Sequence, residues 1–255
     1  MYKGKEWLHN KYIVEQIPVT KICKECGVCF ATIRYYMKKY NIPIRSKSEA
    51  FHIRQANHCN LSKLAIEWIN GELLGDGSIE KLKYSAKFKY GSKYIEYIEY
   101  VRDTLKSFGI EQAGKIMKQY HKKLDCYSYH YCSRAYPELL TIRKQWYPEN
   151  KKIIPKDIKL TPITLRQHYI GDGCLTNHRL GNSSIRLCTY GFTKPDVKNF
   201  LINITKLGIK ANINARNAIR ISSYSAKDFL KYIGDCPVEC YQYKWGTMKY
   251  ASIPV

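Results

Sequence analysis

Two aspartates stand between glycines, at Gly75-Asp76-Gly77 and Gly171-Asp172-Gly173. Each closes an apolar run of helical character, one starting at Ile69 and the other at Leu165. A carboxylate at a helix C-terminus meets the negative pole of the helix dipole and is destabilised unless a cation binds there. Gly71 and Gly75 leave one helix face small, so two such helices can pack closely and their ends can meet. Two carboxylates at one point in a basic chain make a divalent-metal site. Beside a phosphate backbone, bound metal activates water and stabilises the leaving oxygen, which is phosphodiester hydrolysis. A single Gly-Asp-Gly reads as a capping turn. Two copies at matching places in a repeat point to chemistry.

The elements that must position these acids form an internal repeat, starting near Leu61 and again near Leu160. After each aspartate comes a Tyr-Gly pair, Tyr90-Gly91 or Tyr190-Gly191. A helix then ends at Phe108-Gly109-Ile110 or Leu207-Gly208-Ile209. Two alternating stretches follow, 115–120 and 126–133 in the first copy, 211–215 and 218–222 in the second. A last helix covers 137–146 or 226–233. The class is α+β, each unit reading α-β-β-α-β-β-α around a one-faced antiparallel sheet. The repeats span 61–158 and 159–255. Alternation places Lys81, Lys83, Ser85, Lys87 and Lys89 on one face of the first sheet. It places Asn212, Asn214 and Arg216 on one face of the second, with Arg220 and Ser222. Amide and guanidinium groups suit base edges, whereas lysine neutralises phosphate.

Residues 1–46 read as a small all-α domain. Pro18 stops a first helix, Thr20 caps a second, and Gly27 turns the chain into a third running from Phe30 to Tyr40. That is the helix-turn-helix layout, with Thr32, Arg34, Tyr35 and Lys38 on the exposed side of the third helix, suited to bases and phosphates. Residues 47–60 read as a basic linker. Arg45, Lys47, His52 and Arg54 suit either an arm along a DNA groove or a solvated connector. Cys23, Cys26 and Cys29 have metal-ligand spacing, yet Cys23 falls where two crossing helices need a small residue and Cys29 where a short side chain begins the third helix.

Composition agrees with a nucleic-acid partner. Over 255 residues, 43 Lys and Arg face 21 Asp and Glu, a formal charge of +22, and 23 tyrosines supply stacking surface. No apolar run reaches the ~18 residues of a membrane span, and the start lacks a signal-peptide core. Ten cysteines without such a signal argue against a disulfide framework. A monomer inside a bacterial cytoplasm or an organelle matrix is expected.

The helix pair resembles the LAGLIDADG motifs of homing endonucleases in their double-motif, single-chain form. Gly71, Gly75-Asp76-Gly77 and Gly171-Asp172-Gly173 carry the resemblance. Asn70, Glu72 and Leu74 depart from the first motif, as do Arg166, Gln167, His168 and Ile170 from the second. The stretch from Trp146 through Pro155 to Pro162 is similar to the link before the second motif in a yeast-type branch. The resemblance implies a saddle of two sheets on double-stranded DNA with a long pseudo-palindromic or asymmetric target. It implies Mg²⁺ as cofactor, with Mn²⁺ able to substitute, held by Asp76 and Asp172 with Gly75 and Gly171. It further implies one basic residue near each half-site, and the repeat offers Lys152 and Lys244. Lys89 and Tyr190 stand where relatives often place a Gln or Glu that holds water. Intron maturases and transcription regulators share the fold, so a chain that binds without cutting is the alternative to an intron-encoded endonuclease.

Overall fold

Ser62 and Thr161 begin the two motif helices. The Ser62 hydroxyl accepts the Ala65 amide and the Thr161 hydroxyl accepts the Thr164 amide, each relieving an orphan donor of the first turn. In the computed structural model, residues 2–47, 49–51, 56–123, 125–177 and 183–246 are described. They divide into two compact units, Met1–Asn57 and His58–Val255.

The first unit begins with α1 (Lys5–His9), which widens into a π turn over Asn10–Val14. α2 (Val19–Cys26) ends at Gly27, whose φ of 63° suits a residue without Cβ, and α3 (Phe30–Lys39) follows. Leu8, Tyr12, Ile22, Ile33, Met37 and Ile42 are the buried centre. Two expectations change here. Pro18, not Thr20, is the N-cap of α2, because proline has no amide to leave unpaired and its ring presets the entry angle. Arg45 does not lie on an extended arm: its guanidinium stacks 3.8 Å from the Tyr12 ring centre and donates to the Ile17 carbonyl. The chain then starts a helical turn, the Ala50 amide bonding to the Ser46 carbonyl. His52 and Arg54 lie outside the described residues.

The second unit runs α4 (Lys63–Leu74), β1 (Ser78–Lys81), β2 (Ala86–Ser92), α5 (Ile95–Ser107), β3 (Met117–His121), β4 (Cys126–Cys132) and α6 (Pro137–Trp146). The order then repeats as α7 (Pro162–Asp172), β5 (Gly173–Asn177), β6 (Ser183–Leu187), α8 (Lys194–Thr205), β7 (Ala211–Ile213), β8 (Ile219–Ile221) and α9 (Ser223–Ile233). Strand orders are β1-β2-β4-β3 and β5-β6-β8-β7, every pair antiparallel. One face of each sheet packs on the helices through Phe88, Tyr90 and Tyr131, or Ile185, Leu187 and Ile219, in a continuous core. Burial alternates along β2, so Lys87 and Lys89 point away from that core. The helices pack on one side and leave the other side of each sheet free for polar residues.

Candidate active site

α4 and α7 cross at their C-terminal glycines. A Cβ added to Gly75 would stand 3.3 Å from the Gly171 Cα, and one on Gly171 would stand 3.3 Å from both the Gly75 Cα and the Asp76 nitrogen. Bulkier residues would hold the two backbones apart. One turn earlier, Gly71 faces Thr164 and Gln167, and its added Cβ would be 2.6 Å from the Thr164 carbonyl oxygen. Polar bonds also cross the seam: the Thr164 hydroxyl donates to the Glu67 carbonyl at 3.1 Å, and Gln167 donates to the Tyr100 hydroxyl at 3.0 Å. Asp76 and Asp172 thus leave the crossing at the same end.

Both sequence-derived lysines reach this point. Lys152 donates from Nζ to the carbonyls of Gly75 (3.2 Å) and Gly77 (2.9 Å). Lys244, only 7% exposed, donates to Gly171 (3.2 Å) and also to Ile170. Each ammonium therefore satisfies carbonyls at the end of its own repeat's motif helix and opposes the negative pole there. Burial pushes the Asp172 carboxyl up to about 6; Asp76 adds to the rise, and Lys152 and Lys244 oppose it. Asp76 is exposed, yet the protein packed around its carboxyl raises it too, opposed first by Lys244 and then by Lys152. Burial brings Lys152 down to about 8, offset first by Asp172. Lys244 is lowered by the same cause, offset first by Asp76. The coupling is crosswise: each lysine holds its own helix end and answers most strongly to the other repeat's acid.

The donor set fits a hard divalent ion. Two carboxylates and the Gly75 and Gly171 carbonyls are all oxygen ligands, and each carbonyl keeps a second lone pair beside its lysine bond. Among the described residues no cluster of three or more His, Cys, Asp or Glu is placed to hold a metal. A Mg²⁺ or Mn²⁺ ion here would complete its shell with water and phosphate oxygens, as Mg²⁺ does at sites of phosphoryl chemistry.

Sequence reasoning treated Glu72 and His168 as mere departures from a motif. They occupy equivalent positions, four before each aspartate, and both are fully buried. Tyr97 donates to one Glu72 oxygen at 2.7 Å, while the other oxygen and the Tyr90 hydroxyl have no hydrogen-bond partner among the described residues. Burial, with Asp76 contributing, raises Glu72 well above the usual carboxylate range. His168 packs against Phe200 and is brought down to about 4 by burial. Polarity at a core position of an amphipathic helix was the available signal.

The outer sheet faces are sorted by register. Lys87 and Lys89 share a face with Glu80, which Lys89 meets at 3.0 Å. Lys81 does not share it, because β1 and β2 are a hairpin that pairs Lys81 with Ala86, a residue of the core face. Lys83 lies in the turn, its ammonium 5.1 Å from the Tyr84 ring centre. In the second sheet Asn212 pairs with Arg220, and Arg220 pairs with Arg186, which the sequence reading missed. Asn214 is a turn residue rather than a strand residue: its Oδ1 accepts the Arg216 and Ala218 amides, which leaves Arg216 exposed at the tip. Ser222 is the N-cap residue of α9, beyond the strand. On α3, Arg34, Tyr35 and Lys38 are exposed, and Thr32 is half-buried with its hydroxyl 3.2 Å from the Cys29 sulfur.

A solved structure of the homing endonuclease I-WcaI bound to its DNA recognition sequence superimposes with a TM-score of 0.63 at 19% identity, covering 81% of this chain and 96% of that one. The likeness shows the fold. The probable intron-encoded endonuclease 1 of Wickerhamomyces canadensis is 31% identical over 165 residues, 60% of this chain and 68% of its own. The cytochrome b mRNA maturase bI2 of Debaryomyces hansenii is 26% identical over 211 residues, 73% of this chain and 75% of its own. Residues 66–229, which hold both crossing helices and both sheets, match the model of the LAGLIDADG DNA endonuclease family, and to that family the chain belongs.

Proposed function

We propose that the chain is a site-specific endonuclease that hydrolyses both strands of a DNA duplex at the α4–α7 seam, using Mg²⁺ or Mn²⁺. The observation that carries this reading is the meeting of Asp76 and Asp172 at a close backbone contact between glycines, with the half-buried Lys152 and the buried Lys244 beside them. Asp76 and Asp172 would hold the metal, with the Gly75 and Gly171 carbonyls available as further oxygen ligands. When bound, the metal activates water and stabilises the departing oxygen. Lys152 and Lys244 fix the helix ends and place positive charge where negative charge grows in the transition state. Lys87 and Lys89 on one sheet, and Arg186, Asn212 and Arg220 on the other, face the duplex. Lys81, Lys83 and Arg216 meet phosphate from strand ends and turns. The first unit adds a helix-turn-helix contact through Arg34, Tyr35 and Lys38 of α3 and lengthens the target.

The chain works as a monomer within a bacterial cytoplasm or an organelle matrix. No helix among the described residues is long and apolar enough to cross a membrane. A second reading, an intron maturase that binds RNA, is favoured by the Debaryomyces hansenii relative. Retention of both aspartates favours cutting. The test is a library of duplexes incubated with the parent, Asp76→Asn and Asp172→Asn in Mg²⁺. The parent should cut both strands at one site, and each variant should bind that site without cutting it. Parent-like double-strand cleavage by either variant would remove the shared metal from the mechanism.

A further inference from the structure

The β3–β4 hairpin carries a chain of polar side chains on the sheet face that also bears Lys89. The Ser128 hydroxyl lies 2.6 Å from Nε2 of His121 and 2.8 Å from Nε2 of His130. Register explains the alignment. Ser128 and His130 are two apart on β4, and His121 pairs with Cys126, the next residue of the same face. Gly91 pairs with His130 on β2, and a Cβ there would stand 3.1 Å from its Nδ1, so the ring lies over a position kept clear for it. Neither Nδ1 has a protein partner among the described residues, and neither is sealed from solvent.

Hydrogen-bond counting fixes the polarity. A serine hydroxyl has one proton, so between two neutral imidazoles it donates to one Nε2 and accepts from the other. The ring that donates to Ser128 then shows a bare Nδ1, an acceptor. The ring that accepts from Ser128 shows Nδ1–H, a donor. The hairpin presents one donor and one acceptor at fixed separation, whereas its neighbour Lys89 presents donors only. Base pairs in the major groove differ in their order of donors and acceptors, and a surface of mixed polarity can tell them apart where an ammonium cannot.

We infer that His121, Ser128 and His130 act as one hydrogen-bonded unit that reads base identity in the half of the target facing the first sheet. The inference rests on the DNA-cleaving reading above. It assigns sequence discrimination in that half to the hairpin and leaves Lys87 and Lys89 with phosphate.

The test is selection of bound duplexes from a randomised library by the intact chain, without divalent metal, for the parent and single variants. His121→Ala and His130→Ala should each lower preference at one or two neighbouring base pairs by about tenfold, the scale of a good base contact. Ser128→Ala removes no imidazole, yet should relax the same positions, because the two rings lose their opposed polarity. Ser128→Thr keeps a hydroxyl and should restore the parent profile. Lys87→Ala should weaken binding to all sequences alike and flatten its salt dependence. A parent profile for Ser128→Ala would show that the rings do not act as a unit and would overturn the inference with DNA binding intact. Failure of the parent to enrich any sequence would instead overturn the DNA-cleaving reading, and the inference with it.

Discussion

Gly71→Ala puts a single methyl into the seam that builds the site. The new Cβ would lie 2.6 Å from the Thr164 carbonyl oxygen and 2.8 Å from the Gln167 Cβ, where ordinary contact begins at 3.4 Å. One obstacle is backbone, so a rotamer change cannot clear it, and the helices must part by about 0.8 Å. Alanine gains about 1 kcal/mol over glycine in a helix interior. Overpacking a close-packed contact costs about 1–3 kcal/mol. The net effect on stability is therefore a loss of at most about 2 kcal/mol, and the chain should remain folded. The effect on cleavage should be larger. Moving Asp76 away from Asp172 by a distance near 1 Å is the kind of misplacement that costs on the order of 10²-fold in rate. Urea unfolding gives the first quantity, and single-turnover cleavage at saturating enzyme gives the second. Parent-like cleavage from a folded Gly71→Ala chain would refute the argument that backbone approach at this seam sets the geometry of the acids.

Lys152→Met and Lys244→Met should each raise the cleavage barrier by about 1.4 kcal/mol or more, tenfold in rate. Nicks should accumulate on opposite strands, read by labelling each strand separately; equal saturated rates would remove both lysines from the site. Asp172 keeps its proton to about pH 6 in the folded chain against an ordinary value of 3.8. The native state binds the extra proton in that window, so its stability without metal falls as pH rises through it and levels off above. Urea midpoints in chelator, taken as the difference between parent and Asp172→Asn, should show this fall, and a flat difference would contradict it. Removing residues 1–57 should leave a folded, cutting second unit with lower affinity and a footprint shortened on one side, which nuclease protection would record.

The acids and lysines were legible because duplication shows them twice. A Gly-Asp-Gly or a late lysine means little once, but Asp76 with Lys152 and Asp172 with Lys244 repeat in order at similar spacing. The element order was legible for the same reason, and α6 has the bounds expected of it. Strand faces were less so. A period of two continues through a turn on paper, but the hairpin at Leu82–Ser85 pairs odd residues with even ones and sends Lys81 to the core side. Arg45 was hidden because a basic residue after a proline gives no sign of the Tyr12 ring that receives it. The His121–Ser128–His130 chain depends on cross-strand register, which a single sequence does not state.

The seam also has a shape that decides which halves can join. Gly71 and Gln167 occupy equivalent places, five before each aspartate, so the first motif helix offers a notch and the second a peg. Two copies of the first half would leave the notch empty, and two copies of the second would set peg against peg. The two motif helices thereby fit each other as unlike partners at this position. Each motif helix is free to diverge in sequence, because neither must remain compatible with a copy of itself.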